Sequence, residues 1–267
     1  MATANLSERL TLKPQDPLPE RLSVQTLKIL HYRRLQSTNT TAYQLGEKGA
    51  PEWTIVVADT QTSGRGRRQK GWESPRGGLW FSILLRPDIS SNRVALLQFL
   101  SANATRQALE DETDVHVRLK WPNDLVIESG KLGGILIESK TIGDRVSFVV
   151  VGIGLNVNLR KTQLPTGAVS LFATTGTKYD LRRLLKTIAD QTMSKYDEID
   201  KPSSILEEWW HNCIHRPLQV QVTHQERTVT GITRGIDEDG SLILETEDGR
   251  TQKMREGTLR VLYDTAN

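Results

Sequence analysis

A chain of 267 residues with 37% hydrophobic and 25% charged side chains can bury a sizeable core, as one large domain or one large and one small. Its net charge of +3, from 35 basic against 32 acidic residues, is too small to mark the whole surface for an anionic partner. One cysteine, Cys213, excludes an intramolecular disulfide and a cysteine-based zinc cluster, and the most apolar runs, such as residues 146–151, are far too short to span a bilayer.

Residues 1–26 are polar and punctuated by Pro14, Pro17 and Pro19, and read as a loosely docked arm. They carry no apolar leader, so a cytoplasmic location is the expectation, with a transit peptide left open. Residues 27–35 read as a strand. Ser37, Thr38, Asn39 and Thr40 can then cap a helix over residues 41–47. A β-branched strand over residues 54–58 leads into Asp59-Thr-Gln-Thr-Ser-Gly-Arg-Gly-Arg-Arg-Gln-Lys-Gly-Trp72, and a further strand over residues 79–86 follows it.

Residues 94–109 place apolar side chains at the spacing of a core helix. Strands are expected over residues 115–120, 125–128, 131–139 and 146–151, with turns at Ser129-Gly130 and Gly143-Asp144, and then an extended segment over residues 152–158. Amphipathic helices over residues 181–199 and 203–212 come next. After Pro217 the pattern becomes short alternating strands, over residues 218–222, 228–233, 242–245 and 259–261, as in a small β-barrel. A boundary near Arg216 divides a domain of residues 27–216 from one of residues 217–267.

Four constellations carry chemistry. The first is the loop of Gly64, Arg65, Gly66, Arg67, Arg68, Lys70 and Trp72, which sets cations among glycines between two strands. Guanidinium forks fit carboxylate or phosphate oxygens, and glycine admits a ligand close to the backbone. An anion clamp competes here with a solvated basic turn, and without a Gly-Lys-Ser/Thr ending the loop is no ordinary phosphate-binding P-loop. The second is Lys120-Trp121-Pro122-Asn123-Asp124, a binding turn or a plain hairpin turn. The third, Lys131-Leu132-Gly133-Gly134, implies close approach of a ligand or a second backbone beside a point charge, with a β-bulge as the alternative. The fourth, Gly152-Ile-Gly-Leu-Asn156, lacks the third glycine and the following helix of a dinucleotide fingerprint. Its Asn156 lies beside a ligand or merely bonds backbone. The five histidines show no convincing metal spacing, and Cys213 reads as structural.

Taken in order, Ser37-Thr38-Asn39, Gln61 with Gly-Arg-Gly-Arg-Arg68 and Trp72, Lys120 to Asp124, Lys131 to Leu136 and Gly152 to Asn156 resemble the biotin–protein ligases, the match covering about residues 28 to 160. That resemblance implies an α+β fold. A catalytic domain like that of class II aminoacyl-tRNA synthetases, with a mixed sheet and flanking helices, is followed by an SH3-like barrel. It implies that biotin and ATP, brought in with Mg²⁺, form biotinyl-5′-AMP, and that biotin then passes to a lysine of a biotin carboxyl carrier protein or domain.

By the same resemblance Ser37, Thr38, Asn39, Gln61, Gly64, Arg65, Gly66, Arg67, Lys131 and Gly134 hold biotin. Arg67, Arg68, Trp72, Lys120, Asn123, Asp124 and Asn156 lie on the adenylate side, and Arg65, Arg67 and Lys131 serve catalysis. The family pattern continues Gly-Arg after Arg68, where this chain has Gln69-Lys70. Residues 1–26 are too short for the winged helix of the bifunctional ligase–repressors, so operator DNA is not an expected partner. A monomer or a homodimer suits the family. A lipoate–protein ligase or octanoyltransferase is the nearest rival reading, and a nucleic-acid-binding module a distant one.

Overall fold

The computed structural model describes residues 27–262, and the arm expected over residues 1–26 lies outside them. Strands β1 (Lys28–Tyr32), β2 (Thr54–Ala58), β3 (Leu79–Leu85), β4 (Arg118–Lys120), β5 (Asp124–Ile127), β6 (Gly130–Ile142) and β7 (Arg145–Leu155) form one sheet. Its order is β1-β2-β3-β7-β6-β5-β4. Only β1 and β2 run parallel; the other neighbours are antiparallel, so the sheet is mixed.

Both faces of this sheet are covered, which explains why β3 is buried at all seven positions and why β2 and β7 read as continuous apolar runs. Successive strand side chains point to opposite faces. Val149, Val151, Ile153 and Leu155 join the large core beneath α2 (Val94–Glu112), α4 (Leu181–Tyr196) and α5 (Pro202–His211). Phe148 and Val150 join Ala42, Val56 and Leu84 in a smaller cluster under α1 (Thr38–Glu47). Along that second face the side chains then shrink, to Gly152 and Gly154 on β7, Ser82 on β3 and Gly134 on β6. A trough opens where the packing residues stop.

A second sheet holds β8 (Gln219–His224), β9 (Arg227–Ile236), β10 (Leu242–Glu245), β11 (Thr251–Met254) and β12 (Thr258–Val261), antiparallel in the order β11-β10-β9-β8-β12 of a small SH3-like barrel. Its apolar residues Val220, Val222, Leu242, Leu244 and Leu259 are continuous with the large core.

The differences from the sequence reading are local. Helix α1 begins at Thr38, because Ser37 alone serves as the cap. Strand β4 covers only the last three residues of the expected 115–120. Helix α4 stops at Tyr196 and gives way to a 3-10 turn, Asp197–Asp200. Strand β7 runs through the glycines to Leu155. A short helix α3 (Leu171–Thr175) and strand β11 add to the reading. Among the described residues no helix is long and apolar enough to cross a membrane.

Candidate active site

The trough is the floor of a cleft of about 440 Å³ that gathers all four constellations and the barrel residues Gly257, Thr258 and Leu259. At one end stands the start of α1, whose dipole favours an acceptor or an anion. Ser37, Thr38 and Asn39 are buried there. Thr38 donates its backbone N–H to Gln61 Oε1 at 2.8 Å, and Gln61 Nε2 donates to Ser74 Oγ at 2.8 Å. The Ser82 hydroxyl donates to Asn39 Oδ1 at 2.6 Å and lies 2.8 Å from the Thr38 hydroxyl. Asn39 Nδ2 donates to Glu138 Oε2 at 2.8 Å. Asn39 fits only because Gly152 lacks a side chain: a Cβ there would lie 2.7 Å from the Asn39 carboxamide carbon.

The glycine/arginine loop is a tight hairpin. Trp72 N–H donates to Gly64 O at 2.9 Å and Gly66 N–H to Lys70 O at 2.7 Å, around a 3-10 turn at Arg67–Gln69. Arg68 and Gln69 both take left-handed backbone angles, φ 54° and φ 59°. At Gln69, where the family pattern has glycine, the backbone therefore adopts the conformation glycine favours. The arginines divide their work. Arg65 Nη2 reaches Glu138 at 3.0 Å and 3.2 Å, pinning the loop to β6. Arg68 reaches across to His224 at the end of β8 and to Glu256 in the turn before β12. Arg67, between them, has no carboxylate within ion-pair distance among the described residues. Burial first, and then the neighbouring charge of Arg68, lower its pKa below the ordinary guanidinium value.

On the opposite wall, β4 and β5 are joined by the Lys120–Asp124 turn, which contains a cis Trp121–Pro122 peptide. Trp121 is buried; its N–H donates to His215 Nε2 at 3.1 Å and its indole Nε1–H to Gly240 O at 3.2 Å. His215 must be neutral to accept that bond, and burial pushes its pKa down to about 4. Asn123 Nδ2 donates to Ile135 O at 2.7 Å, locking the turn onto β6. Asp124 pairs with Lys131 Nζ at 2.6 Å, and that ammonium sits 5.1 Å over the Trp72 ring. Gly134 lies opposite Asp124 and keeps this corner open. Asn156 lines the cleft, yet its amide donates to Val169 O at 3.1 Å and to Lys131 O at 3.4 Å, so it braces Lys131 through the backbone.

Among the residues singled out in the sequence, Ser37, Thr38, Asn39, Gln61, Arg65, Gly66, Arg67, Arg68, Trp72, Lys120, Asn123, Asp124, Lys131, Gly134 and Asn156 all border this one cleft. Gly64 is instead the tight base of the loop, under Trp72 O and Ser74 Oγ. Cys213 is buried and its thiol pushed up to about 12 by that burial, which leaves no thiolate for chemistry. Sequence reasoning missed Ser82, Glu138, His215 and the barrel's contribution. Glu138 had a signal, since period two from Gly134 places it on the cleft face of β6.

The sequence profile of the Biotin/lipoate A/B protein ligase family matches residues 31–156, and that of the Biotin protein ligase C terminal domain matches residues 219–258. The bifunctional ligase/repressor BirA of Bacillus subtilis is 36% identical over 231 residues, 83% of this chain and 70% of the relative. The biotin–[acetyl-CoA-carboxylase] ligase of Paracoccus denitrificans is 34% identical over 230 residues, 81% of this chain and 94% of the relative. Among solved structures, the biotin protein ligase of Aquifex aeolicus in complex with biotin and ATP superposes with a TM-score of 0.73 at 27% identity, covering 88% of this chain and 98% of that one.

Proposed function

The chain belongs to the biotin protein ligase family, and from that premise we propose that it is an ATP-dependent ligase that activates biotin as biotinyl-5′-AMP and transfers it to a lysine of a carboxylase's biotin carboxyl carrier domain. The observation that carries this reading is Arg67. A half-buried guanidinium with no carboxylate partner among the described residues, opening on a cleft beside Lys120 and Lys131, is matched by an anionic ligand.

In the first step a biotin carboxylate oxygen attacks the α-phosphorus of ATP and pyrophosphate leaves. Anions must meet for this to happen, so fixed cations and dipoles supply most of the help. Arg67 and Lys131 stabilise the charge that develops at the carboxyl–phosphate junction. Asp124 orients Lys131, and Trp72 covers it. Ser37, Thr38, Asn39 and Gln61 offer the polar floor for the ureido head. Mg²⁺ enters with ATP, its ligands supplied largely by phosphate oxygens and water. In the second step the carrier's lysine amine, once deprotonated, attacks the anhydride carbonyl. AMP leaves with the C–O bond that breaks, and an amide forms.

The profile that matches residues 31–156 covers biotin and lipoate ligases alike, which makes lipoate the discriminating competitor. With ATP and Mg²⁺, biotin is expected to drive pyrophosphate release and lipoate is not. Release with lipoate alone would move the assignment to the rival.

A further inference from the structure

The three loop arginines differ in what holds them. Arg65 is fixed to Glu138 on the first sheet, and Arg67 is half-buried with no ion-pair partner among the described residues. Arg68 is held by the C-terminal barrel: Nη2 donates to His224 Nδ1 at 2.6 Å and Nε to Glu256 Oε2 at 3.4 Å. His224 Nε2 lies 3.3 Å from Glu256 Oε1, and because a guanidinium only donates, His224 Nδ1 is the acceptor for Arg68. These two barrel residues are neighbours because β12 pairs with β8, Thr258 opposite Thr223. The adjoining Gly257, Thr258 and Leu259 line the cleft. Meanwhile Arg68 and Gln69 hold left-handed angles that non-glycine residues disfavour, so a contact from outside adds to the hairpin's own hydrogen bonds in holding the turn.

We propose that Arg68 is a positioning residue: with His224 and Glu256 it latches the loop to the C-terminal barrel, and so keeps Arg67 over the cleft while the acyl-adenylate is held. The barrel thereby acts on the reaction through the loop. The role of the adenylate rests on the ligase reading above; the latch itself does not.

The test uses the full chain and its variants Glu256→Arg and Arg68→Glu/Glu256→Arg, with thermal melts to establish that each is folded. Nicking of the loop by subtilisin, mapped by mass spectrometry to residues 64–72, reports loop release without requiring turnover. The triad is partly exposed, so the expected effect is moderate. Glu256→Arg is nicked about two- to fivefold faster than wild type and loses preformed biotinyl-adenylate faster by a similar factor. The charge-swapped double variant returns nicking toward the wild-type rate. Wild-type nicking of Glu256→Arg, or a double variant no slower than the single one, overturns the latch. If wild type forms no adenylate, the ligase reading fails, and the nicking comparison still decides the latch.

Discussion

Replacing Gly152 by alanine puts the account of the cleft floor under direct strain. The added methyl would lie 2.7 Å from the Asn39 carboxamide carbon and nearer still to its Oδ1, whereas carbon contacts relax only at about 3.5–4.0 Å. Asn39 is 5% exposed and already bonded to Ser82 and Glu138, so it cannot retreat without breaking those bonds. Overpacking of this kind costs about 1–3 kcal/mol, and each hydrogen bond lost adds about 1 kcal/mol. A net loss of about 3 kcal/mol corresponds to a fall in Tm of about 6–12 °C. Gly134→Ala is the control, because its nearest neighbour, Asn123 O, would be 3.5 Å away, an ordinary contact. It should melt within about 2 °C of wild type while its methyl narrows the corner between Lys131 and Asp124. Calorimetry gives the melts and titration with biotin gives binding. A Gly152→Ala protein that melts and binds biotin as wild type does would refute the account of the floor.

Lys131→Ala should keep the fold, with at most about 1 kcal/mol lost from the half-exposed Asp124 pair, yet lower the adenylation rate about 100-fold or more. Turnover equal to wild type would remove Lys131 from the mechanism. Gln69→Gly should relieve the left-handed strain at φ 59° and slow loop nicking; faster nicking would show that the strain is not what limits the loop. His215 gives a pH dependence of known sign. Its folded pKa, about 4, lies below the ordinary histidine value, so the unfolded chain binds the extra proton and stability falls as pH drops from about 6.5 toward 4. The full loss is about 3 kcal/mol, read as the difference between denaturant unfolding at pH 7 and pH 4. His215→Gln should flatten that part of the profile, and an unchanged profile would place the titration elsewhere.

Much of the sheet was legible because its packing rule is local. The β-branched run at β2 and the apolar run at β7 announce strands buried on both faces, and Ser37 announces the start of α1. Strand β11, Thr-Gln-Lys-Met, has too little apolar character to be recognised alone, and it exists through its pairing with β10. The glycines of β7 read as the start of a separate extended segment, yet they continue the strand: Ile153 and Leu155 still pack in the core while Gly152 and Gly154 clear the opposite face. The cations of the loop stood out by composition. Their partners did not, since Glu138 lies 73 residues from Arg65, and His224 and Glu256 lie 156 and 188 residues from Arg68. Only the register of the sheets brings those groups together.

The central claim is tested most directly by the intact mass of a biotin carboxyl carrier domain incubated with the protein, ATP, Mg²⁺ and biotin. The predicted result is one added biotin on a single lysine, absent when ATP is omitted or when that lysine is replaced by arginine. A carrier that stays unmodified while a known biotin ligase labels it under the same conditions would contradict the account.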